Sequence, residues 1–545
     1  MDSRGLQRFF KESEGKPYGN WRRLAGVHRF SGIECSVDHV QGDVYAPASR
    51  MSLRIQLKNL ALARAVSDPV ERLAIEDLAL REFAQRLADE SVLAGDGAGG
   101  RLSTLKPGPE IRARSAARIE GNETLVLRFT MVLPGESRRI LTAPVEEMLF
   151  FRLPALAADL ALKLDAVAVN KHLSHLRRCR ALREAVDAKG LCAFLANGAI
   201  LARKNGKPVD GATPFKAMAD FQTTITLPDG TSFEGLGIPK GLTVLVGPAF
   251  HGKTTVLEAI AQGVFDHIPG DGREACVSLY GTTFPCVEED RAVRTLDLSF
   301  FLKTLPGGRS PKRFATTSAS GATSQAATLL ETIAAGTPLL LLDEDASAAN
   351  LLTRDERINA LFSKGETVTP LAERARGLVQ AGISMVVVAG ASSRWLDLAD
   401  HVFVLEDYRP RKTLVIPQEK VPDLVLPKAL DAELFTELHP QRTLSPTRVR
   451  LSGSRLKMGD HWVARLPVRS LCEPRARGAA HILLAFLRHS PEPETATLES
   501  LKTWHDKWTR NGPDWPDDTA HDLEMPTLHE VIAVAQRFEP AGADA

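Results

Sequence analysis

The sequence predicts an α/β fold in which a mostly parallel sheet is flanked by an α+β N-terminal domain and a smaller C-terminal domain. Between about residues 192 and 426, short apolar runs alternate with helical patterns, and these runs lack the apolar–polar alternation of a half-exposed strand. Such runs suit strands that helices cover on both faces. The clearest lie at residues 242–246, 339–342 and 383–389. For a chain of 545 residues we expect three domains, at residues 1–190, 191–426 and 427–545.

The composition excludes several classes of protein. Lys and Arg number 68 against 67 Asp and Glu, and the formal net charge of +1 argues against a wholly basic, histone-like nucleic-acid binder. No stretch approaches about 18 uninterrupted apolar residues, which argues against a membrane span. The first 15 residues lack the apolar run of a secretory signal, and the six cysteines are scattered without a CxxC pair. We therefore expect a soluble cytoplasmic protein with reduced thiols.

Two periodic segments indicate mixed secondary structure in the N-terminal domain. Within residues 71–90, leucines and a phenylalanine recur at helical spacing and make one apolar stripe. Within residues 125–133, every second position is apolar, which is the period of a strand with one buried face. The two patterns together predict a helix and a half-buried strand before the parallel sheet begins.

The strongest local signal is the segment GPAFHGKT at residues 247–254, which fits the phosphate-loop pattern GxxxxGK[ST]. It lies between an apolar run and a helical pattern, the context that this pattern requires. Glycines let backbone N–H groups surround phosphate oxygens, and the following helix N-terminus adds positive potential. We expect ATP and Mg²⁺ as cofactors, with the Lys253 ammonium on the β- and γ-phosphates and the Thr254 hydroxyl on the metal. The nucleotide-binding residues expected here are Gly247, Phe250, His251, Gly252, Lys253, Thr254 and Thr255.

A second element, two adjacent carboxylates, stands 90 residues after Lys253. There the apolar run 339–342 ends in Asp343 and Glu344. At the carboxyl end of a strand, Asp343 would hold Mg²⁺ together with Thr254. Glu344 would be the catalytic residue, because it would orient or deprotonate the water that attacks the γ-phosphorus.

A third element is the segment SGATSQ at residues 320–325, which opens a helical pattern. Ser320 stands 23 residues before Asp343. One interpretation is a serine-rich helix cap. The other is a phosphate-binding signature, because a hydroxyl, N–H groups and a helix N-terminus together can cap an anion.

With these three elements in order, residues 193–411 resemble a family described as predicted ATPases of the ABC class, which lack transporter domains. The matching stretches are AFLANGAILAR, GVFDHIPGDGRE, SASGATSQAA and LLDEDASAANLLTRDER, with further matches at ILTAPVEEMLF upstream and LHPQRTLSPTRVR downstream. The resemblance implies a P-loop ABC-type nucleotide-binding core between family-specific terminal domains. It also implies a homodimer that closes on ATP, in which Ser320, Gly321 and Gln325 of one subunit meet the nucleotide of the other. Some relatives are associated with RNA processing, so RNA or another nucleic acid is an expected partner.

The sequence departs from the general ABC pattern in three respects. Phe250 and His251 replace the small residues usual inside the phosphate loop, although a bulky pair here looks normal for this family. No Gln occurs between Gln262 and Gln325, so the usual Mg²⁺-sensing lid Gln is missing, and the cluster 289–291 is a candidate replacement. Residues 390–393 hold no His where transporter-type ATPases carry one that senses the γ-phosphate, and His401 comes too late. Slow hydrolysis is therefore expected. The alternatives are a nucleotide-gated scaffold with little turnover that binds a protein partner, and a small-molecule kinase.

Two other groups of residues leave alternatives open. His172, His175 and Cys179 share one face of a helical pattern and could ligate zinc, or they belong to a basic solvated helix. Residues 442–477 carry nine Lys or Arg against two acidic residues, so they could track the phosphates of RNA, or form a solvated face. Residues 481–545 carry five Lys or Arg and twelve Asp or Glu, and their part 511–526 predicts a loosely ordered insertion.

Overall fold

The chain folds into two compact units. The first comprises Met1–Arg177 and Trp508–Met525, and the second comprises Arg178–Lys507 and Pro526–Ala545. The three-domain division expected from the sequence stays a prediction. The architecture is that of a computed structural model, which describes residues 1–60, 66–305, 308–319, 321–355, 357, 367–390, 392–415, 421–428, 430, 432–444, 449–452, 455–459, 461–463, 472–490, 492–511 and 520–538.

The first unit is built on a six-stranded antiparallel sheet with the order β1-β2-β3-β7-β4, in which β6 also pairs with β7. Its strands are β1 Gly26–Phe30, β2 Ile33–His39, β3 Ser49–Gln56, β4 Leu102–Ser103, β5 Glu110–Ile111, β6 Ala117–Glu120, β7 Thr124–Met131, β8 Gly135–Glu136 and β9 Arg139–Ile140. Its helices are α1 Ser3–Ser13, α2 Pro69–Leu87, α3 Ala143–Glu147 and α4 Leu153–Lys163, with shorter 3-10 or π segments at Tyr18–Leu24, Leu57–Leu60, Ala88–Glu90 and Met148–Arg152. The helix α5 Ala166–Ala188 carries the chain into the second unit.

Helix α2 and strand β7 are the two elements that the periodic segments predict, and both form. The rings of Phe83 on α2 and Phe129 on β7 meet edge to face with centroids 5.9 Å apart, which places the apolar stripe of the helix on the sheet. The prediction of a half-buried strand is wrong, because both faces of β7 are covered. Arg128 on the second face is buried and donates to Ser115 O at 2.7 Å and to Glu120 at 3.1 Å, which is how a polar residue can occupy a covered face.

The C-terminal stretch returns to the first unit at residues 520–525, within the segment expected to be a loose insertion. Leu523 is fully buried, and its carbonyl accepts the Ser115 N–H at 2.9 Å. Glu524 forms ion pairs with Arg112 at 3.3 Å and with Arg114 at 2.9 Å. The expectation is therefore wrong for these residues, while 512–519 lie outside the described residues.

The second unit contains the parallel sheet that the apolar runs predict. Its order is β20-β21-β15-β22-β23, and the first four strands are parallel. The strands are β20 Leu339–Asp343, β21 Ser384–Val388, β15 Leu242–Val246, β22 His401–Glu406 and the antiparallel edge strand β23 Arg409–Val415. The central apolar runs are buried on both faces, so the α/β fold class is confirmed.

A second, antiparallel sheet with the order β13-β14-β10-β17 completes the core of this unit. Helix α6 Lys253–Gln262 joins the two sheets, since Leu257 and Ile260 share one hydrophobic cluster with Leu341 of β20 and Leu195 of β10. The remaining strands are β10 Leu191–Ala196, β11 Arg203–Lys204, β12 Lys207–Pro208, β13 Gln222–Thr226, β14 Ser232–Pro239, β16 Asp266–His267, β17 Cys276–Ser278, β18 Arg291–Leu296, β19 Phe314–Ala319, β24 Val449–Ser452, β25 Arg455–Met458 and β26 His461–Val463. The other helices are α7 Gly321–Ala335, α8 Ala349–Leu352, α9 Leu371–Gln380, α10 Arg394–Leu398, α11 Ala432–Leu438, α12 Glu473–His489, α13 Leu498–Asn511 and α14 Leu528–Gln536, with 3-10 segments at Ala219–Phe221, Pro311–Arg313, Glu344–Ala346, His439–Thr443 and Pro493–Thr495.

The basic segment and the acidic C-terminal part meet in the core of the second unit. Arg475, one of the nine basic residues of 442–477, is buried and pairs with Glu530 at 3.2 Å. Arg537, directly after α14, is also buried and pairs with Glu288 at 2.6 Å and with Glu331 of α7 at 3.4 Å. Some of the opposite charges that cancel in the whole-chain sum therefore serve as internal ion pairs.

The zinc interpretation of the His172 face finds no support in the contacts of its members. His172 lies 3.1 Å from the carboxylate of Asp77, and the Cys179 thiol donates to Glu274 O at 3.5 Å. Across the residues that the structure describes, no group of three or more His, Cys, Asp or Glu side chains is placed to hold a metal ion. None of the helices in the described part of the chain is both long and apolar enough to cross a membrane.

Glu76 on α2 makes the stability of the first unit depend on pH. Burial raises the pKa of its carboxyl from 4.5 to about 7, although the Ile119 N–H donates to Oε1 at 2.8 Å. A carboxyl group whose pKa is higher in the folded chain makes the fold less stable as the pH rises from about 4.5 to about 7, because only the unfolded chain releases the proton in this range. In the wild type, the Glu76 carboxyl should lower the free energy of unfolding by up to about 3 kcal/mol between about pH 5 and about pH 8. We expect Glu76→Gln to abolish this loss, because the amide does not ionise. Urea unfolding at both pH values measures this, with Glu82→Gln on the same helix as control. An unchanged pH dependence in the Glu76 variant would contradict the assignment.

Candidate nucleotide site

The phosphate loop connects the C-terminal end of β15 to the N-terminus of α6. Gly247 has φ +149°, and a Cβ at this position would lie 2.2 Å from the carbonyl oxygen of Leu405 on β22. Gly252 has φ +90° and is the N-cap of α6. Both positions thus require glycine, one for close backbone approach and both for a backbone conformation that other residues rarely adopt. Thr254 and Thr255 lie in the first turn of α6, where unpaired N–H groups are available to an anion.

The loop and the carboxylate strand meet at one hydrogen bond. The Thr254 hydroxyl donates to Oδ2 of Asp343 at 2.9 Å, although the two residues are 89 positions apart. Asp343 is buried at the end of β20, and its other oxygen accepts the Asp345 N–H at 3.2 Å. The ammonium of Lys253 donates to the carbonyls of Gly247 at 2.7 Å and Pro248 at 2.8 Å, so it lies over the loop.

This pairing of a hydroxyl with a carboxylate fits Mg²⁺. Hard divalent cations take oxygen ligands, and Mg²⁺ in nucleotide sites is held by one or two protein oxygens, phosphate oxygens and water. Thr254 and Asp343 would supply the protein oxygens. The structure brings together the two metal-binding residues expected from the sequence.

Glu344 directly follows Asp343, and its carboxylate reaches the backbone that follows the neighbouring strand β21. Its Oε2 accepts the backbone N–H of Gly390 at 2.6 Å, and Gly390 follows the end of β21 shortly after Val388. Residue 391 lies outside the described residues. His401 pairs in register with Thr243 near the start of β15, whereas the phosphate loop follows Val246 at the other end. His401 therefore lies at the edge of the sheet opposite to the phosphate loop.

The signature segment is described only in part. Ser320 lies outside the described residues. Gly321 begins α7 with φ +53°, and a Cβ added there would meet open space. Gln325 differs from the expectation that it faces a nucleotide, because its side chain is fully buried. Its amide donates to Ser347 Oγ at 2.8 Å and accepts the Ala348 N–H at 2.8 Å. Gln325 therefore connects α7 to the loop that follows Glu344.

The suggested replacement for the lid Gln is wrong for Arg291. Its guanidinium is fully buried, donates to Ser324 O at 2.6 Å and forms an ion pair with Glu331 of α7. A charge held in this way supports α7 from within the core and cannot reach a metal at the surface.

Sequence reasoning missed the contribution of the turn between β22 and β23. The N–H of Asp407 donates to Nδ1 of His251 at 2.8 Å, and a Cβ at Gly252 would lie 2.9 Å from the Tyr408 ring. Phe250 and His251 were expected to bind nucleotide, and Phe250 is 94% exposed in the middle of the loop with φ +66°. No pattern along the chain links residues 250–252 to residues more than 150 positions later.

Comparison with known proteins assigns a family. A model of the N-terminal domain of ATPases of the ABC class matches residues 3–163, and a model of the ABC ATPase P-loop domain matches residues 165–420. An uncharacterized protein of Methanocaldococcus jannaschii is 33% identical over 246 residues, which cover 42% of this chain and 53% of that protein. The match thus spans about half the length of this curated relative. The solved structure of a bacterial Atm1-family ABC exporter with ATP bound is 14% identical with a TM-score of 0.24, covering 49% of this chain and 46% of the exporter chain. The two family models together cover more than three quarters of the sequence, and the chain belongs to the ATPases of the ABC class.

Proposed function

We propose that this protein hydrolyses ATP in a Mg²⁺-dependent reaction and that ATP closes a homodimer that acts on RNA. The observation that carries the proposal is the hydrogen bond between Thr254 and Asp343, with Glu344 directly after it. This arrangement supports a nucleotide site with three parts that lie close together. They are a loop that can surround phosphates, a pair of residues for the metal, and a carboxylate base.

Each residue has a distinct task in this mechanism. Lys253 leaves the carbonyls of its own loop and neutralises charge on the β- and γ-phosphates. Thr254 and Asp343 would hold Mg²⁺, which when bound would neutralise charge on the phosphates. Glu344 orients a water molecule for in-line attack and accepts its proton, while the Gly390 N–H holds the carboxylate in place.

The dimer part of the proposal rests on the exposed start of α7 and on the hydrogen bonds of Gln325. Residues 321–323 at the start of this helix are half-exposed, whereas most of the following turns are buried. In a head-to-tail dimer, this end with Ser320 and Gly321 would cap the γ-phosphate held by the other subunit. Gln325 would transmit the event, because it bonds to the loop that follows Glu344.

The RNA part of the proposal rests on one face of the sheet β24-β25-β26. Arg450 stands directly opposite Lys457, and Arg455 stands opposite Ser452, so strand alternation places the three basic residues on one face. Arg450 and Arg455 are exposed, while Val449 and Leu456 of the other face are buried. Trp462, the partner of Lys457 in the register, lies among residues whose side chains are not described.

A nucleotide-gated scaffold with little turnover is the second candidate. The observations that favour it are the missing lid Gln between Gln262 and Gln325 and the lack of a His in residues 390–393, where one would be expected to sense the γ-phosphate. In this case ATP closes the dimer around a protein partner and hydrolysis is only incidental.

We expect Glu344→Gln to lower ATP hydrolysis by at least about 100-fold while ATP affinity is kept, because general-base catalysis contributes on the order of 10² to 10⁴. Phosphate release at saturating Mg²⁺ and ATP measures this. Glu258→Gln, an exposed carboxylate on α6, is the matched control and should hydrolyse ATP at the wild-type rate. Equal rates in wild type and Glu344→Gln would remove Glu344 as the base. If wild type binds ATP and dimerises but releases no more phosphate than the variant, the scaffold is the better description.

We expect Ser320→Arg to abolish ATP-dependent dimerisation without changing ATP affinity, since the bulky cation would enter the interface rather than the subunit's own phosphate loop. Light scattering of the Glu344→Gln protein with Mg²⁺ and ATP, with and without the second substitution, measures the mass. Thr317→Arg, at an exposed position of β19, is the control and should leave the dimer intact. A dimer that forms despite Ser320→Arg would contradict the head-to-tail arrangement.

We expect the double variant Arg450→Glu/Arg455→Glu to weaken binding to single-stranded RNA and to flatten its salt dependence by roughly 0.7 log units per lost phosphate contact per decade of salt. Fluorescence anisotropy with a labelled oligonucleotide over a salt series measures both quantities. Arg4→Glu/Arg8→Glu on α1 makes the same charge change at exposed positions and should have a smaller effect. The absence of RNA binding by wild type at low salt would remove RNA from the proposal and leave ATP hydrolysis untouched.

A further inference from the structure

Tyr408 is an exposed aromatic side chain at the edge of the phosphate loop. It lies in the two-residue turn between β22 and β23, where Glu406 pairs with Arg409, and 56% of its surface is exposed. Large apolar side chains at such turns are unusual, because hairpin turns favour small and polar residues.

The backbone at this turn is held in an unfavourable conformation. Asp407 has φ +47° and Tyr408 has φ +62°, the left-handed region that glycine and asparagine tolerate best. Glycine would fit both positions without strain, so the shape of the hairpin does not call for a tyrosine. Strained residues of this kind cluster at ligand sites, where the side chain is needed in one place.

Two contacts hold the turn against the phosphate loop. The Asp407 N–H donates to Nδ1 of His251 at 2.8 Å. The Tyr408 ring lies beside Gly252, since a Cβ added there would be 2.9 Å from its Cδ1. The ring is thus placed next to the residue that precedes Lys253, on the same unit and at the carboxyl edge of the same sheet.

The strand order tells which end of a nucleotide would reach this ring. Asp343 ends β20, which lies two strands to one side of β15, and the turn that carries Tyr408 ends β22 on the other side. Thr254 and Asp343 would hold the metal that neutralises charge on the transferred phosphate, so this pair marks the γ-phosphate end. A triphosphate that runs across the loop therefore directs its sugar and base away from β20, toward β22 and Tyr408.

We propose that Tyr408 is the platform on which the nucleobase of the bound triphosphate stacks. This rests on the proposed function, which supplies the nucleotide. An aromatic ring offers a face that any purine can cover, and such stacking adds on the order of 10-fold to 100-fold in affinity. Phe250, in the middle of the phosphate loop, is 94% exposed and is the competing aromatic candidate.

The test compares a nucleotide with the same molecule lacking the base. Calorimetry measures the affinity of the full-length protein for Mg²⁺ with ATP and for Mg²⁺ with ribose 5′-triphosphate. We expect Tyr408→Ala to weaken ATP binding by about 10-fold to 100-fold and to leave the affinity for ribose 5′-triphosphate unchanged. Tyr408→Phe should keep the wild-type affinity for both molecules. Tyr45→Ala, at an exposed tyrosine of the first unit, is the matched control.

A second variant separates stacking from folding. Tyr408→Gly removes the ring and also the backbone strain of a non-glycine residue at positive φ. It should therefore raise the melting temperature while it lowers the affinity for ATP as much as Tyr408→Ala does. Unchanged ATP affinity in both variants, an equal loss for ATP and ribose 5′-triphosphate, or a base-dependent loss in Phe250→Ala instead would overturn the proposal. If wild type binds ribose 5′-triphosphate but gains nothing from the base, only the platform fails. If it binds neither molecule, the proposed function fails with it.

Discussion

The hydrogen bond between Thr254 and Asp343 is the interaction on which the rest of the candidate site depends. At 2.9 Å it joins the first turn of α6 to the end of β20, two strands away from the strand that leads into the loop. A buried carboxylate keeps such a position only if its oxygens are satisfied, and Asp343 also accepts the Asp345 N–H. The same geometry places Glu344 beyond the strand end, where the Gly390 N–H reaches it.

The signature helix is held by contacts from behind. Glu331, fully buried on α7, forms ion pairs with Arg291 and Arg537. One carboxylate thus connects α7 to the start of β18 and to the residue after α14. Breaking a buried pair of this kind leaves an uncompensated charge and is strongly destabilising, by about 3–5 kcal/mol. The C-terminal helix is thereby part of the support for the P-loop domain. Near the N-terminal end of α7, the Gln325 side chain hydrogen-bonds to Ser347 and Ala348 in the loop that follows Glu344.

Much of the site could be predicted because its signals are local. The glycines at 247 and 252, the lysine and threonine that follow, and the carboxylates after an apolar strand are each read from neighbouring residues. What the sequence could not show depends on elements that are distant along the chain. The second covered face of β7, the burial of Gln325 and the core position of Arg291 all follow from which element packs against them. An alternating pattern and a charged cluster look the same whether or not another element covers them.

By itself, then, the sequence determined the parallel-strand core, the phosphate loop and the identity of the metal-binding and catalytic candidates, because backbone conformation and side-chain chemistry at these positions are local properties. Only the tertiary structure decided that opposite charges of 442–477 and the C-terminal part meet in a buried pair, Arg475 with Glu530. It also decided that the turn at Asp407 and Tyr408 lies against the phosphate loop. Both results depend on strand order and helix packing, which bring together residues that no spacing along the chain connects.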